Sequence, residues 1–255
     1  MEVTLTGRAA RRAHTIGRVE FEAEVRRAVS DAVFSRVVSA ILAGQLSPGT
    51  PLPSAVDMAA TFQVDPELMQ DAIDRLLEIG LASFAADGSI AVVEWRNVVG
   101  IELLAEVAAS GARPPRRLLT DVFVMRRAVA ADAARLCAEH ASDAELAEIV
   151  SAAQRYPEVP FDVDHASAVD SAFWLRVLDC CGNVGYRLLL NSLLRTFAAV
   201  GRDRIIEIAM YEEYLQPAAH RELAAAMADR RGDDAHRMAY EMLSGTVRKL
   251  RPFVN

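Results

Sequence analysis

The sequence predicts a mainly α-helical protein: an N-terminal winged helix-turn-helix with a small β-hairpin wing, followed by an all-α bundle. Three observations carry this. Between residues 52 and 81, two short stretches of apolar periodicity flank a tight break at Gln63-Val64-Asp65-Pro66. Behind them, Asp87-Gly88 separates two apolar runs, 81–84 and 90–93, which is a strong hairpin signal. From Val98 onward apolar residues recur at three and four, and no alternating strand pattern follows.

The elements follow in order. Residues 1–29 form a mixed arm in which Arg8, Arg11, Arg12 and Arg18 are accompanied by a single acid, Glu2, up to residue 18. Such an arm can follow a DNA minor groove or remain a solvated terminus. Val19, Phe21, Val25 and Val29 add a helical turn or two. Ser30 is expected to cap a helix whose inner face is Val33, Val37 and Ile41 with Phe34 and Val38, ending at Gly44. After a turn-rich link, Leu52, Val56, Met58, Ala59 and Phe62 read as the buried face of the first helix of the motif. Asp65 caps the second, with Pro66 at its start. Leu68, Met69, Ala72, Ile73, Leu76 and Leu77 point inward, and Gly80 closes it.

The winged-helix domain is expected over residues 30–95, a linker over 94–97 and the helical domain over 98–255. Within the latter the pattern places helices at 98–109, 118–140, 164–181, 184–210, 212–230 and 233–250. A further helix is capped by Ser142, with Glu145 at capping-box spacing.

Charge is unevenly spread. The chain carries a formal net charge of −7. Residues 30–95 hold only Arg36 and Arg75 against nine acids, which accounts for all of it. Phosphate contacts supply most non-specific DNA affinity, so this segment needs cations from elsewhere to hold a duplex. No apolar run leads the chain or reaches the length of a membrane span, which points to a cytoplasmic protein. Cys137, Cys180 and Cys181 sit in apolar contexts and read as buried reduced thiols. No nucleophile elbow, phosphate loop or HExxH motif is present, so an enzyme is not expected.

The segment AILAGQLSPGTPLPS, followed by the two helices, resembles the N-terminal domain of the GntR family of bacterial transcription regulators. The shared framework is Ile41, Gly44, Leu46, Pro48-Gly49, Leu52-Pro53-Ser54, Ala59, Val64, Ala72, Leu76 and Gly80-Leu81. Where the family usually has arginines that grip DNA, this chain has Val56, Asp65-Pro66 and Gln70. The resemblance implies a homodimer that binds a double-stranded operator, most simply as a repressor. Its expected DNA contacts are Arg8, Arg11, Arg12, Arg36, Ser54, Glu67, Gln70 and Arg75. Gln70 can bond adenine and Glu67 can accept from cytosine. A fold retained as a ligand- or protein-binding module, without strong DNA binding, is the alternative.

The second half resembles the FCD effector domain of the FadR-type subfamily. DVFVMRRAVAADAARLCAEHASDAELAEI, DSAFWLRVLDCCGNVGYRLLLNSL and AAHRELAAAMADRRGDDAHRMAYEML match its three motifs in order. Many such domains hold a divalent metal on one Asp and three His. Here Asp170 and His220 remain, while Trp174 and Ser244 stand at the other two positions. The resemblance therefore implies no metal or other cofactor. It implies instead a metabolite pocket for an acyl-CoA or an organic acid. Ligand-binding residues are expected to be Arg126, Asp170, Trp174, Asn191, Arg195 and His220, with apolar walls from Phe173, Trp174, Leu178, Leu190 and Leu194. Each has a plainer reading: Trp174 as solid core, Arg126 as partner of Asp170, His220 as a hydrogen-bonded bundle histidine.

Overall fold

A computed structural model describes residues 7–109, 116–157, 163–200 and 211–250. The chain divides into two compact units, residues 1–113 and 114–255.

The first unit opens with one long helix, α1 (Gly7–Leu42, 36 residues). The basic stretch expected as an arm is thus helical from Gly7. Ser30 does not cap a helix, because α1 runs through it: its buried hydroxyl instead donates to Asp71 across 2.5 Å. α2 (Ala55–Phe62) is capped by Ser54 and ends at Gln63 in the left-handed region (φ 56). Only Met58 and Ala59 of α2 are buried, while Val56 is 65% and Phe62 47% exposed. The expected face included Val56 and Met58 together, but residues two apart point to opposite sides of a helix.

α3 (Pro66–Glu78) begins as the sequence indicates. The Asp65 carboxylate accepts from the Glu67 amide at 3.0 Å, and Pro66 occupies the first turn, where a missing N–H costs nothing. Its buried face, Met69, Ala72, Ile73 and Leu76, packs on Phe34, Val38 and Ile41 of α1 in one apolar core. Gly80 takes the left-handed position just past the last turn (φ 75).

The wing is β1 (Ala82–Phe84) paired antiparallel with β2 (Ile90–Val92), with Ala82 opposite Val92. The turn-rich link joins it: Leu52 N–H donates to Ile90 O, and Val92 N–H to Thr50 O. A 3-10 turn (Trp95–Asn97) and α4 (Leu103–Ala109) follow, with Leu103, Leu104 and Val107 buried. The first compact unit includes α4.

The described residues of the second unit form only helices: α5 (Arg116–His140), α6 (Asp143–Ala153), α7 (Val163–Cys180), α8 (Val184–Val200), α9 (Tyr211–Tyr214), α10 (Pro217–Ala228) and α11 (Gly232–Leu250). α11 packs along α5, whose inner face is largely alanine (Ala130, Ala131, Ala134, Ala138), and small side chains permit that close approach. The capping box forms as expected: Ser142 Oγ accepts from the Glu145 amide, and the Glu145 carboxylate accepts from Ser142 N–H at 2.7 Å. The helix expected over 212–230 is broken. Pro217 starts α10 and disfavours helical backbone at Gln216 (φ −116, ψ 59), so α9 stops at Tyr214 before it. The bend expected near Gly201 lies outside the described residues.

Candidate functional site

The end of α3 that would approach DNA is acidic but not bare. Arg26 of α1 reaches Asp65 at 3.1 Å and Glu67 at 3.3 Å. Gln70 donates to Asp74 at 2.7 Å. Arg75 is drawn the other way: it pairs with Asp31 at 2.7 Å and lies over the Phe34 ring at 4.1 Å, so it braces α3 against α1. Ser54 is engaged with Asp57, donating to its carboxylate at 2.7 Å while capping α2. Arg36 is exposed. Side-chain placement of Arg8, Arg11 and Arg12 lies outside the described residues. The wing turn carries Asp87, whose carboxyl is pulled below the usual range by the Ser89 hydroxyl and amide, and no basic residue. Arg26 was not singled out from the sequence. Its signal was available: an arginine on the helix preceding two acids at the start of α3.

Inside the second unit, four elements build a buried polar cluster. α5 supplies Arg126, α7 supplies Asp170, α9 supplies Glu213 and α10 supplies His220, all at least nine-tenths buried. Arg126 donates to Glu213 at 2.7 Å and faces Asp170 at 3.9 Å. Glu213 also accepts from the Thr246 hydroxyl at 2.5 Å. Tyr156 donates to Asp170 at 2.9 Å and stacks on His220 with ring centres 3.9 Å apart. His220 Nδ1 lies 2.8 Å from the Gln216 carbonyl, which can only accept, so that nitrogen carries the proton. Its Nε2 lies 3.5 Å from an Asp170 oxygen and has no hydrogen-bond partner among the described residues.

The electrostatics follow from burial. Burial works against the Arg126 charge, but Glu213 and Asp170 outweigh it and hold the guanidinium more firmly protonated than usual. Burial pushes the Glu213 carboxyl up, against the pull of Arg126 and Thr246. The Tyr156 hydroxyl is pushed well above its ordinary range by burial and by the Asp170 charge.

Beside this cluster lies a cavity of about 20 Å³, lined by Arg126, Trp174, Tyr186 and apolar residues including Leu178 and Leu190. Trp174 is 4% exposed, and its indole N–H has no partner among the described residues. The structure thus brings Arg126, Asp170, Trp174 and His220 into one region. Asn191 and Arg195 do not join them: on α8, Asn191 accepts from Arg187 and the exposed Arg195 donates to Ser192. Of the expected apolar walls, Phe173 packs edge-on against Tyr156 and His220 instead, and Leu193 rather than Leu194 faces the cavity.

Residues 121–245 match the model of the FCD domain. The chain is a GntR-family regulator with an FCD effector domain. It is 24% identical over 218 residues to the HTH-type transcriptional regulator Mce2R of Mycobacterium tuberculosis, covering 86% of this chain and 90% of that one. It is also 24% identical over 226 residues to the fatty acid metabolism regulator protein of Edwardsiella ictaluri, covering 88% and 89%. Among solved structures, the Streptococcus agalactiae GntR protein is 17% identical, with a TM-score of 0.44, covering 86% of this chain and 99% of that one.

The divalent metal of many FCD domains does not fit these residues. Asp170 already accepts from Tyr156 and faces Arg126. Ser244, at another of the ligand positions, accepts from Arg127 at 3.1 Å and donates to the Tyr240 carbonyl. Two arginines stand against the positions where this GntR regulator's relatives would hold a cation. At the fourth position, His220 Nε2 has no hydrogen-bond partner among the described residues.

Proposed function

We propose that this protein is a homodimeric, ligand-responsive repressor whose helical unit senses an acidic metabolite with an apolar body, such as an acyl-CoA or a fatty acid. One observation carries the reading: a buried arginine, Arg126, at the edge of an otherwise apolar cavity in the FCD unit. Arginine suits a carboxylate or phosphate, and the cavity walls suit a hydrocarbon chain. The likeness to a fatty acid metabolism regulator supports the same chemistry. Dimerisation suits this reading, since one recognition helix alone reads too few bases. Light scattering of the full chain is expected to give a dimer at micromolar concentration, and a monomer contradicts it.

On the DNA side, Glu67 and Gln70 stand near the start of α3, where base edges would be met, with Ser54 and Arg36 near the backbone. Phosphate neutralisation comes from α1, through Arg8, Arg11, Arg12 and Arg18 together with Arg26. The deciding experiment is a gel shift on the promoter beside the protein's own gene over a range of salt. Deleting residues 1–18 is expected to weaken binding and flatten the salt dependence, by about one unit of slope for each phosphate no longer neutralised. Gln70→Ala relaxes preference at one base step instead, by roughly 1–3 kcal/mol.

A second reading is favoured by the same surface. Gln70 is tied to Asp74, Arg75 to Asp31, and the wing turn carries an acid and no base. A chain of that kind keeps the winged helix as a scaffold for another partner. No specific shift at low salt with the full chain selects this reading.

A further inference from the structure

We propose that the outer face of α8 is the surface through which two copies of this chain meet, α8 packing antiparallel on the same helix of a second copy about a two-fold axis at Leu188. The proposal names the contact of the homodimer and rests on that reading.

The two sides of α8 have different surroundings. Tyr186, Leu189, Leu190 and Leu193 line the cavity, together with residues of α5 and α7. At 3.6 residues per turn, that phase sets Val184, Leu188, Asn191 and Arg195 on the opposite side. Val184 is 74% exposed and Leu188, one turn on, is 60% exposed. The bundle already takes the inner face of this helix. An apolar strip on its outer face therefore fits a surface outside the bundle.

Charge indicates which surface that is. Toward the C-terminal end of the strip stands the exposed Arg195. It donates to Ser192 on its own helix and meets no carboxylate among the described residues. At the N-terminal end stands Asp179, which pairs with Arg187 at 2.6 Å yet remains 46% exposed. The strip thus carries an anion at one end, a cation at the other and apolar side chains between. Such a face is complementary to itself once inverted, which is what an isologous contact requires. With the axis at Leu188, the two Leu188 side chains pack on each other and Val184 lies opposite the partner's Ser192. Arg195 is two turns, about 10 Å, beyond Leu188, so it arrives at the end where the partner's Asp179 stands. A parallel pairing would instead bring the two Arg195 guanidinium groups together.

The test uses the full-length chain, with light scattering over a dilution series and circular dichroism to check folding. Leu188→Glu sets two carboxylates against each other at the axis and is expected to weaken the wild-type dimer about a hundredfold. Arg195→Glu weakens it about tenfold, and adding Asp179→Asn recovers part of that loss. Cysteine cross-linking covers the case in which Leu188→Glu does not fold. Leu188→Cys is expected to give a covalent dimer on mild oxidation. Val184→Cys alone does not, whereas a mixture of Val184→Cys and Ser192→Cys chains does. A wild-type dimer that Leu188→Glu leaves intact, or that Leu188→Cys fails to cross-link, overturns this interface while leaving the homodimer standing. A wild-type monomer at micromolar concentration removes the homodimer reading, and the interface with it.

Discussion

Arg126 on α5 donates to Glu213 on α9 across 2.7 Å, joining residues 87 apart in the sequence inside the helical unit. Both side chains are buried, with exposures of 9% and 2%. A buried pair of this kind stabilises little over an apolar substitute, yet removing one partner is expensive because the other charge is left alone.

Arg126→Met is therefore expected to destabilise the chain by about 3–5 kcal/mol, since Glu213 and Asp170 both lose their cation. Arg126→Met combined with Glu213→Leu recovers much of that loss. Urea unfolding of both variants, followed by circular dichroism, measures the difference. A single variant as stable as wild type would mean the cluster is hydrated rather than dry.

Arg26 is predicted to matter for DNA and hardly at all for folding. The side chains in its pairs with Asp65 and Glu67 are about half exposed or more, and such pairs contribute at most about 1 kcal/mol. Arg26→Ala exposes two acids at the start of α3 and weakens the operator complex, most at low salt. Asp65→Asn keeps the helix cap, removes a charge and strengthens it, whereas Asp65→Ala costs about 1 kcal/mol of stability through the missing cap. Gel shifts and thermal melts of the three variants separate these effects. An operator affinity unmoved by Arg26→Ala would place the DNA surface elsewhere.

The cysteines are predicted to be inert near neutral pH. Burial pushes the Cys137 thiol from 9.0 up to about 12 and Cys180 up to about 11. Between pH 9 and those values the unfolded chain releases thiol protons that the folded chain retains. The unfolded state then binds fewer protons, so stability is full below pH 9 and falls as pH rises toward 12. Thiol titration is expected to show slow labelling at pH 8 that accelerates with denaturant, and unfolding midpoints that decline above pH 9. Rapid labelling of the folded protein at pH 8 contradicts the buried placement.

Elemental analysis of untagged protein is predicted to find no stoichiometric zinc, nickel or manganese. Asp170 and Ser244 are each faced by an arginine, and His220 Nε2 alone cannot hold a divalent ion tightly. About one metal per chain would refute this.

Much of this protein was legible in its residue pattern. Asp65-Pro66, Gly80, Asp87-Gly88 and the Ser142–Glu145 spacing mark their helix ends and turn because each acts within a few residues of itself. Arg126, Asp170, Trp174 and His220 stood out because they fall on motif positions. What the pattern could not carry was the phase of one element against another. α8 presents Leu190 and Leu193 to the cavity, while Asn191 and Arg195, equally plausible by type, engage neighbours on their own helix. α2 turns Met58 inward and Val56 outward.

The sequence by itself determined several helix ends and turns, the winged helix and helical bundle as fold types, and the acidic character of residues 30–95. All of these rest on local backbone preferences and on composition. Only the tertiary structure decided which charges meet. Glu213 on α9 meets Arg126, Tyr156 from the loop after α6 meets Asp170, and Thr246 on α11 holds Glu213. Arg26 and Asp65, 39 residues apart, meet because α1 crosses the start of α3. Such pairings depend on distances set by packing, and a charge buried by packing must find its partner wherever the fold supplies one.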